Sequence, residues 1–247
     1  MEAVHCHHNT FLVILSYVVS VLGSYTALQL AIGIPAAKTA GERWRALLGS
    51  GAAVGGGGIW AMHFIAMLAC QMNIAVTYDL PLTVLSALIG IAACTLGLAV
   101  ASSGTFSWVK LTLAGVLMGL GVAGMHYTGM AAMLMPAQIV YDPIIVGVSI
   151  LIAIVASIAA LWLAFNMRGW MQLLGAALVM GVAVCGMHYT AMAAAGFVPL
   201  AQGANEVAQG LHGESLGITI FIVASVLLFG TLIVTTVRQQ QRTEIQI

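Results

Sequence analysis

Seven apolar runs of membrane-crossing length leave this chain little choice of environment. A helix needs about 20 predominantly apolar residues to cross the hydrocarbon core of a bilayer. Runs of that length fall near 11–33, 46–70, 80–102, 109–135, 143–165, 170–196 and 215–237. In lipid each spanning segment must satisfy its own backbone polar groups, so the expected fold is all-α, a bundle of seven transmembrane helices. Composition agrees: 62% of residues are hydrophobic and 6% charged, where a soluble domain carries about 25% charged residues. No Lys or Arg precedes the first run and no small-residue cleavage site follows it. It therefore reads as a retained helix and not as a signal peptide.

Charge placement then predicts an orientation. Lys38, Arg43 and Arg45 lie between runs 1 and 2, Lys110 between 3 and 4, and Arg168 between 5 and 6, while Arg238 and Arg242 follow run 7. The opposite face carries Glu2, Asp79, Asp142, Glu206 and Glu214 without any basic residue. The positive-inside rule places the basic side in the cytoplasm, with the N-terminus outside. The expectation is a multi-pass protein of the cell (inner) membrane, with one membrane domain over 1–237 and a short cytoplasmic tail over 238–247. The bilayer is its first partner. A formal charge of zero and the lack of a basic stripe argue against nucleic acid as another. Cysteines at 6, 70, 94 and 185 share no CxxC or zinc-finger spacing, so neither a disulfide framework nor a structural zinc site is expected.

The chain also repeats itself. Trp44, Trp108 and Trp170 open runs 2, 4 and 6, and each is followed 18 or 19 residues later by a histidine: His63, His126 and His188. Around them stand Ala-Met-His-Phe-Ile-Ala-Met (61–67), Gly-Met-His-Tyr-Thr-Gly-Met (124–130) and Gly-Met-His-Tyr-Thr-Ala-Met (186–192). Tyr78-Asp79 and Tyr141-Asp142 follow the first two histidines at equal spacing, close to Pro81 and Pro143, and read as helix starts. The unit is a helical hairpin of about 62 residues, used three times and followed by a closing helix. A repeat with an even number of helices points all three motifs the same way. The histidines should lie at similar depth in the outer half of the bilayer.

On a helix, residues i, i+4 and i+7 share a face. The stripes are His63, Met67 and Cys70; His126, Met130 and Met133; and Cys185, His188 and Met192, with Met62, Met125 and Met187 preceding the histidines. Imidazole with thioether and thiol is a soft donor set, suited to copper and above all to Cu(I). Magnesium or calcium would want oxygen ligands, and zinc would ordinarily recruit more thiolate or carboxylate. The plainer reading is packing, since a buried histidine can bond a neighbouring helix and methionine fills gaps in apolar cores. Three histidines at one depth, each with a methionine at i+4, favour a bound cofactor. Tyr127, Thr128, Tyr189 and Thr190 are expected to bond across helices or to support the histidines. Gly55 to Gly58, Gly115, Gly119, Gly121, Gly124, Gly175, Gly181 and Gly186 read as close helix contacts. His5, Cys6, His7 and His8 form a soft cluster on the outer side, read as a solvated tail rather than a metal relay.

These motifs resemble the MHYT family of bacterial membrane sensor domains. Met125-His126-Tyr127-Thr128 and Met187-His188-Tyr189-Thr190 match its signature, and Met62-His63-Phe64-Ile65 is a less strict copy that lacks Tyr and Thr. The resemblance covers essentially the whole chain. It implies seven helices, copper held by Met, Cys and His residues, and sensing of a diatomic gas (O2, CO or NO) or of redox state. Family members are often fused to cytoplasmic diguanylate cyclase, phosphodiesterase, kinase or DNA-binding modules. No such module follows Arg238 here, so a cytoplasmic signalling partner supplied in trans is expected, unless the sequence is the sensor portion of something longer.

Two alternatives stand beside the copper sensor. A copper-handling or transport protein would need soft or polar groups across the membrane, yet the inner halves of runs 2, 4 and 6 offer only Ser50, Thr112, Met118, Gln172 and Met180. A haem held between two histidines on facing helices would make a cytochrome-like sensor. Enzymatic activity is not expected: the sequence shows no nucleophile–base–acid set, no intramembrane carboxylate and no phosphate loop.

Overall fold

The computed structural model describes residues 6–200 and 210–244, with side chains as far as Thr235. Glu2, His5 and Glu206 lie outside these residues, as do the side chains of Arg238 and Arg242. The seven expected spans are present, as Thr10–Ala36, Ala40–Ala69, Leu80–Ala101, Trp108–Ala131, Pro143–Asn166, Trp170–Ala193 and Gly213–Thr235. The first comprises α1 (Thr10–Ala31) and a short α2 (Gly33–Ala36). The second comprises α3 (Ala40–Gly51), a π-helical segment (Ala52–Trp60) and α4 (Ala61–Ala69). The remaining spans are α5 (Leu80–Ala101), α6 (Trp108–Ala131), α7 (Pro143–Asn166), α8 (Trp170–Ala193) and α9 (Gly213–Glu244).

Local chemistry sets where these helices begin. Asp79 and Asp142 are N-caps, accepting from Leu82 N–H and from the Ile144 and Ile145 N–H groups, and each is followed by proline in the first turn. A carboxylate there satisfies donors that have no partner within the helix, and proline has no N–H to waste. Asn9 and Thr39 cap α1 and α3 in the same way. The second span starts at Ala40, six residues before the hydropathy run, because capped α3 is amphipathic and carries Glu42, Arg43 and Arg45.

Helices adjacent in sequence pack as neighbours, and α8 returns to α1, which closes a ring of six spans with α9 outside against α4 and α1. The second span is the most enclosed, with 72% of its apolar window buried. Its π segment, Ala-Ala-Val-Gly-Gly-Gly-Gly-Ile-Trp, lies between α1 and α5. A Cβ at Gly23 would strike the backbone of Gly58, and one at Gly55 the backbone of Gly90. Backbones this close require glycine. Gly115, Gly119, Gly121 and Gly181 also meet neighbouring helices, but nothing lies within 4 Å of a Cβ at Gly175 or Gly186. At the basic end Arg43 reaches Ser102 Oγ at 2.9 Å. Trp44, Trp108 and Trp170 stand 51%, 64% and 65% exposed there, where tryptophan anchors helices at a membrane interface.

Two features depart from the sequence reading. The opposite end, here the motif end, carries short antiparallel strands: β1 (Cys6–His8), β2 (Cys70–Met72), β3 (Thr77–Tyr78), β4 (Met133–Leu134), β5 (Ala137–Tyr141), β6 (Ala195–Pro199) and β7 (Leu211–His212). They pair as β1–β2, β4–β3–β7 and β5–β6. For this reason α6 and α8 stop at Ala131 and Ala193, short of the expected 135 and 196. Cys6 and Cys70 are also disulfide-bonded, a pairing the cysteine spacing did not indicate, and Cys6 to His8 are strand rather than solvated tail.

Candidate metal centre

His63 on α4, His126 on α6 and His188 on α8 converge within the bundle, 1%, 0% and 1% exposed. Their ring centroids form a nearly equilateral triangle with sides of 4.8, 5.1 and 5.2 Å. The rings meet edge to face, with planes 73° to 80° apart. His63 Nδ1 lies 3.1 Å from His188 Nδ1 and 3.2 Å from His126 Nδ1. The three Nε2 atoms are buried without a hydrogen-bond partner, and each orphaned polar atom costs about 1–3 kcal/mol.

This donor set fits a metal. An ion about 2.0 Å from each of three nitrogens holds them about 3.3–3.5 Å apart. The two pairs to His63 stand close to that spacing and one nitrogen from each ring lies within 4.8 Å of the other two, so the rings would readjust for one ion to sit equidistant from all three. Without an ion, a neutral imidazole Nδ1 either donates or accepts, and three of them crowded together cannot all be satisfied.

The residue after each histidine buttresses its ring. Phe64, Tyr127 and Tyr189 pack edge-on to His63, His126 and His188, with centroids 4.9, 4.9 and 5.0 Å apart. The less strict first motif thus keeps the ring contact without the hydroxyl. Tyr127 exchanges a hydrogen bond with Ser149 of α7 at 2.8 Å, and Tyr189 makes a longer one to Ser16 of α1 at 3.5 Å. The Thr190 hydroxyl instead donates to the Gly186 carbonyl of its own helix, and Thr128 is half-buried on α6.

Sulfur lies on both sides of this histidine layer. Met67, Met130, Met133, Met192 and Cys70 pack with Phe64 and Tyr78 in the apolar cluster at the motif end. Met125 and Met187 belong to the larger cluster that runs toward the basic end, and Met62 is 1% exposed. Two residues of the expected stripes stand apart. Cys70 is bonded to Cys6, and the half-buried Cys185 lies outside the cluster that gathers the motif-end methionines. One residue was missed: a Cβ on Gly129 would press against the His63 ring at Nε2 and at Cδ2, the latter 2.9 Å away. Its sequence signal was the motif position itself, glycine in the second copy where the first and third have Ala66 and Ala191.

Fold and site together define a polytopic membrane domain with a histidine trio buried near one face. The chain belongs to the MHYT family of membrane sensor domains. The family profile, described as a bacterial signalling protein N-terminal repeat, matches residues 56–114 and 119–177. Each matched stretch carries one motif, and His188, beyond both, joins the same triangle.

Among curated relatives, the Pseudomonas aeruginosa protein named bifunctional diguanylate cyclase/cyclic di-GMP phosphodiesterase MucR is 42% identical over 245 residues, 96% of this chain and 35% of that protein. The cyclic di-GMP phosphodiesterase NbdA of the same bacterium is 40% identical over 197 residues, 77% of this chain and 25% of that protein. The Bacillus subtilis signaling protein YkoW is 30% identical over 238 residues, 92% of this chain and 29% of that protein. The chain thus spans about a third or less of the length of these relatives and corresponds to the sensor part of such proteins. No solved structure matches it.

Proposed function

We propose that the chain is a signalling sensor that holds one copper ion on His63, His126 and His188 and reads a diatomic gas (O2, CO or NO), or the redox state of the ion, at an open coordination position. The observation that carries this reading is the convergence of three buried Nδ1 atoms in a site with no carboxylate. Three histidines are also the donor set of some zinc enzymes, so charge is the discriminator. The energy of burying an ion grows with the square of its charge, making a divalent ion about four times as costly as a monovalent one of equal radius. A neutral site inside a membrane therefore favours Cu(I), and the thioethers of Met67, Met130 and Met192 suit the same ion. Haem fits less well. Two axial histidines must face each other across the macrocycle, whereas these rings touch edge to face. Transport is disfavoured by the apolar cluster between the histidines and the basic end.

The output would run through α4 and α9. Leu68 of α4 lies against Gly213 and Gly217 of α9, and Leu228 of α9 against Gly57 of the π segment. A shift of His63 is thus passed to a helix that continues to Glu244. By analogy with the relatives' names, that output is cyclic di-GMP turnover on the cytoplasmic side, through a domain in the same chain or a partner in trans. The excess of basic residues at that end supports a cytoplasmic end for α9, and a disulfide at the motif end suits the oxidising side of an inner membrane.

Elemental analysis for copper, zinc and iron on detergent-purified protein tests the reading. Wild type should carry close to one copper per chain, and His126→Ala and His188→Ala should each lose most of it. Undiminished metal in both variants would sink the ligand assignment. Zinc or iron at that stoichiometry would replace the copper.

A further inference from the structure

The motif end offers a second set of soft donors that the histidine trio does not use. Strand β1 lies antiparallel on β2, with Cys6 opposite Met72 and His8 opposite Cys70. The Asn9 N–H donates to the Ala69 carbonyl at 2.8 Å, fixing this register at the end of α4. The Cα atoms of Cys6 and Cys70 are 5.2 Å apart and their sulfurs are joined. The ring nitrogens of His8 lie 3.7 and 3.9 Å from Cys6 Sγ.

A disulfide that merely stapled β1 to β2 would not need that imidazole. Donors of a single ion, with metal–sulfur near 2.3 Å and metal–nitrogen about 2.0 Å, stand about 3.5–3.8 Å apart, which is the spacing His8 and Cys6 hold. Two thiolates and an imidazole are a Cu(I) set. The place is also reachable. A cavity of about 300 Å³ lined by Cys6, His8, Tyr189 and Met192 opens on one side. A second, of about 460 Å³ and lined by Cys70, Met67, Met72, Met133 and His212, opens on the other. The His8 ring meets Tyr189 edge-on at 5.7 Å, and Tyr189 meets His188 at 5.0 Å. One aromatic ring separates this place from the trio.

We infer that Cys6, Cys70 and His8 form a second, redox-gated site for a cuprous ion, closed while the cysteines are disulfide-bonded and opened when a dithiol-class reductant splits the bond. Opening adds two electrons and two protons to the S–S bond and leaves two thiols, while the dithiol becomes a disulfide. Uptake of Cu(I) by the two thiolates and the neutral imidazole then releases two protons. The site gives a membrane sensor a thiol-controlled loading point at its mouth, and it stands whether or not the trio holds metal.

The test is an anaerobic titration of the whole chain in detergent micelles with cuprous ion, supplied as its acetonitrile complex against a chromophoric cuprous chelator. Oxidised protein and phosphine-reduced, desalted protein are compared. Thiol counting should find two reactive thiols, Cys94 and Cys185, before reduction and all four cysteines after it, in denaturant. The reduced chain should bind one more Cu(I) than the oxidised chain. That increment should vanish in Cys6→Ser and weaken about tenfold in His8→Ala, and survive in His126→Ala. Should Cys6→Ser fail to fold, alkylation of the reduced wild type must abolish the increment instead. No increment on reduction, or one that outlasts loss or alkylation of the thiols, overturns the site. A trio that binds nothing lowers both forms alike and leaves the increment, so the two readings fail separately.

Discussion

Replacing Gly129 by alanine puts the proposed centre under the sharpest available test, because the change is one methyl group aimed at one ligand. The new Cβ would sit 2.9 Å from His63 Cδ2 and closer still to Nε2, well inside ordinary van der Waals contact. The ring has nowhere easy to go, since His126, His188 and Phe64 pack around it at centroid distances of 4.8 to 5.1 Å. It must tilt within the triangle, or α4 and α6 must part. Overpacking of this kind costs about 1–3 kcal/mol, while alanine regains about 1 kcal/mol of helix propensity over glycine. The net loss of stability should therefore be small, about 0–2 kcal/mol on the same figures. Metal binding should suffer more. Disturbing the support of a ligating histidine typically lowers affinity 10–100-fold, about 1.4–2.7 kcal/mol. Competition with a cuprous chelator reads the affinity, and a thermal melt by circular dichroism reads the stability. Gly121→Ala is the control: its Cβ would meet Ala93 Cβ, overpacking α5 against α6 away from the trio. Unchanged affinity in Gly129→Ala, or equal losses in the two variants, would refute the claim that His63 is a positioned ligand.

Asp142→Ala should lower the melting temperature by an amount equivalent to about 1 kcal/mol without altering metal content, because it strips the cap from the Ile144 and Ile145 N–H groups. Differential scanning in detergent checks this, and a change in metal content would mean that the cap supports the site. Tyr141 gives a pH signature: burial and the neighbouring Tyr127 raise its phenol from 10.0 to about 12. The folded state keeps that proton longer than the unfolded chain, so the stabilisation is whole below pH 10 and is lost as pH rises toward 12. Wild type should therefore lose more melting temperature than Tyr141→Phe across that window, and parallel curves would refute it. Leu68→Ala should leave copper content intact while weakening the contact with Gly213 and Gly217 of α9. A spin label at Thr235 should then respond to CO in wild type but not in the variant, and equal responses would exclude this route.

The spans and the trio's depth were legible because both are one-dimensional properties. Hydropathy finds the helices, and a repeat of even helix number sets His63, His126 and His188 at one level. Whether they face one another is a matter of azimuth, which the stripes resolved only in part. Met67, Met130 and Met192 share a cluster, but Cys185, three residues before His188, is half-buried and outside it. A helical stripe is about 100° wide, and a triad of rings uses only its middle. The strands were invisible because runs such as Thr77–Tyr78 and Met133–Leu134 are too short to show alternation. The Cys6–Cys70 bond spans 64 residues and leaves no local spacing to recognise. The π segment was hidden for a different reason. Its glycines read as packing, and they do pack, but the widened turn they allow is set by α1 and α5.

The departures from threefold symmetry matter as much as the symmetry. Three copies of one hairpin would give three equivalent histidines, yet His63 alone is close to both others through Nδ1. It is also the one carried by a helix that a π turn interrupts and that α9 covers. π turns are rare, poorly stabilised by their own geometry, and frequent where a helix changes register at a functional site. In α6 and α8 the histidine belongs to an unbroken helix of 24 residues and moves only if the whole helix moves. In the second span the nine residues of α4 can shift against α3 by redistributing the π turn. A change in coordination would then draw on the softest of the three supports. That support is the one in contact with α9, so on the proposed reading α4 is the place where a change of ligand would become a movement of the chain.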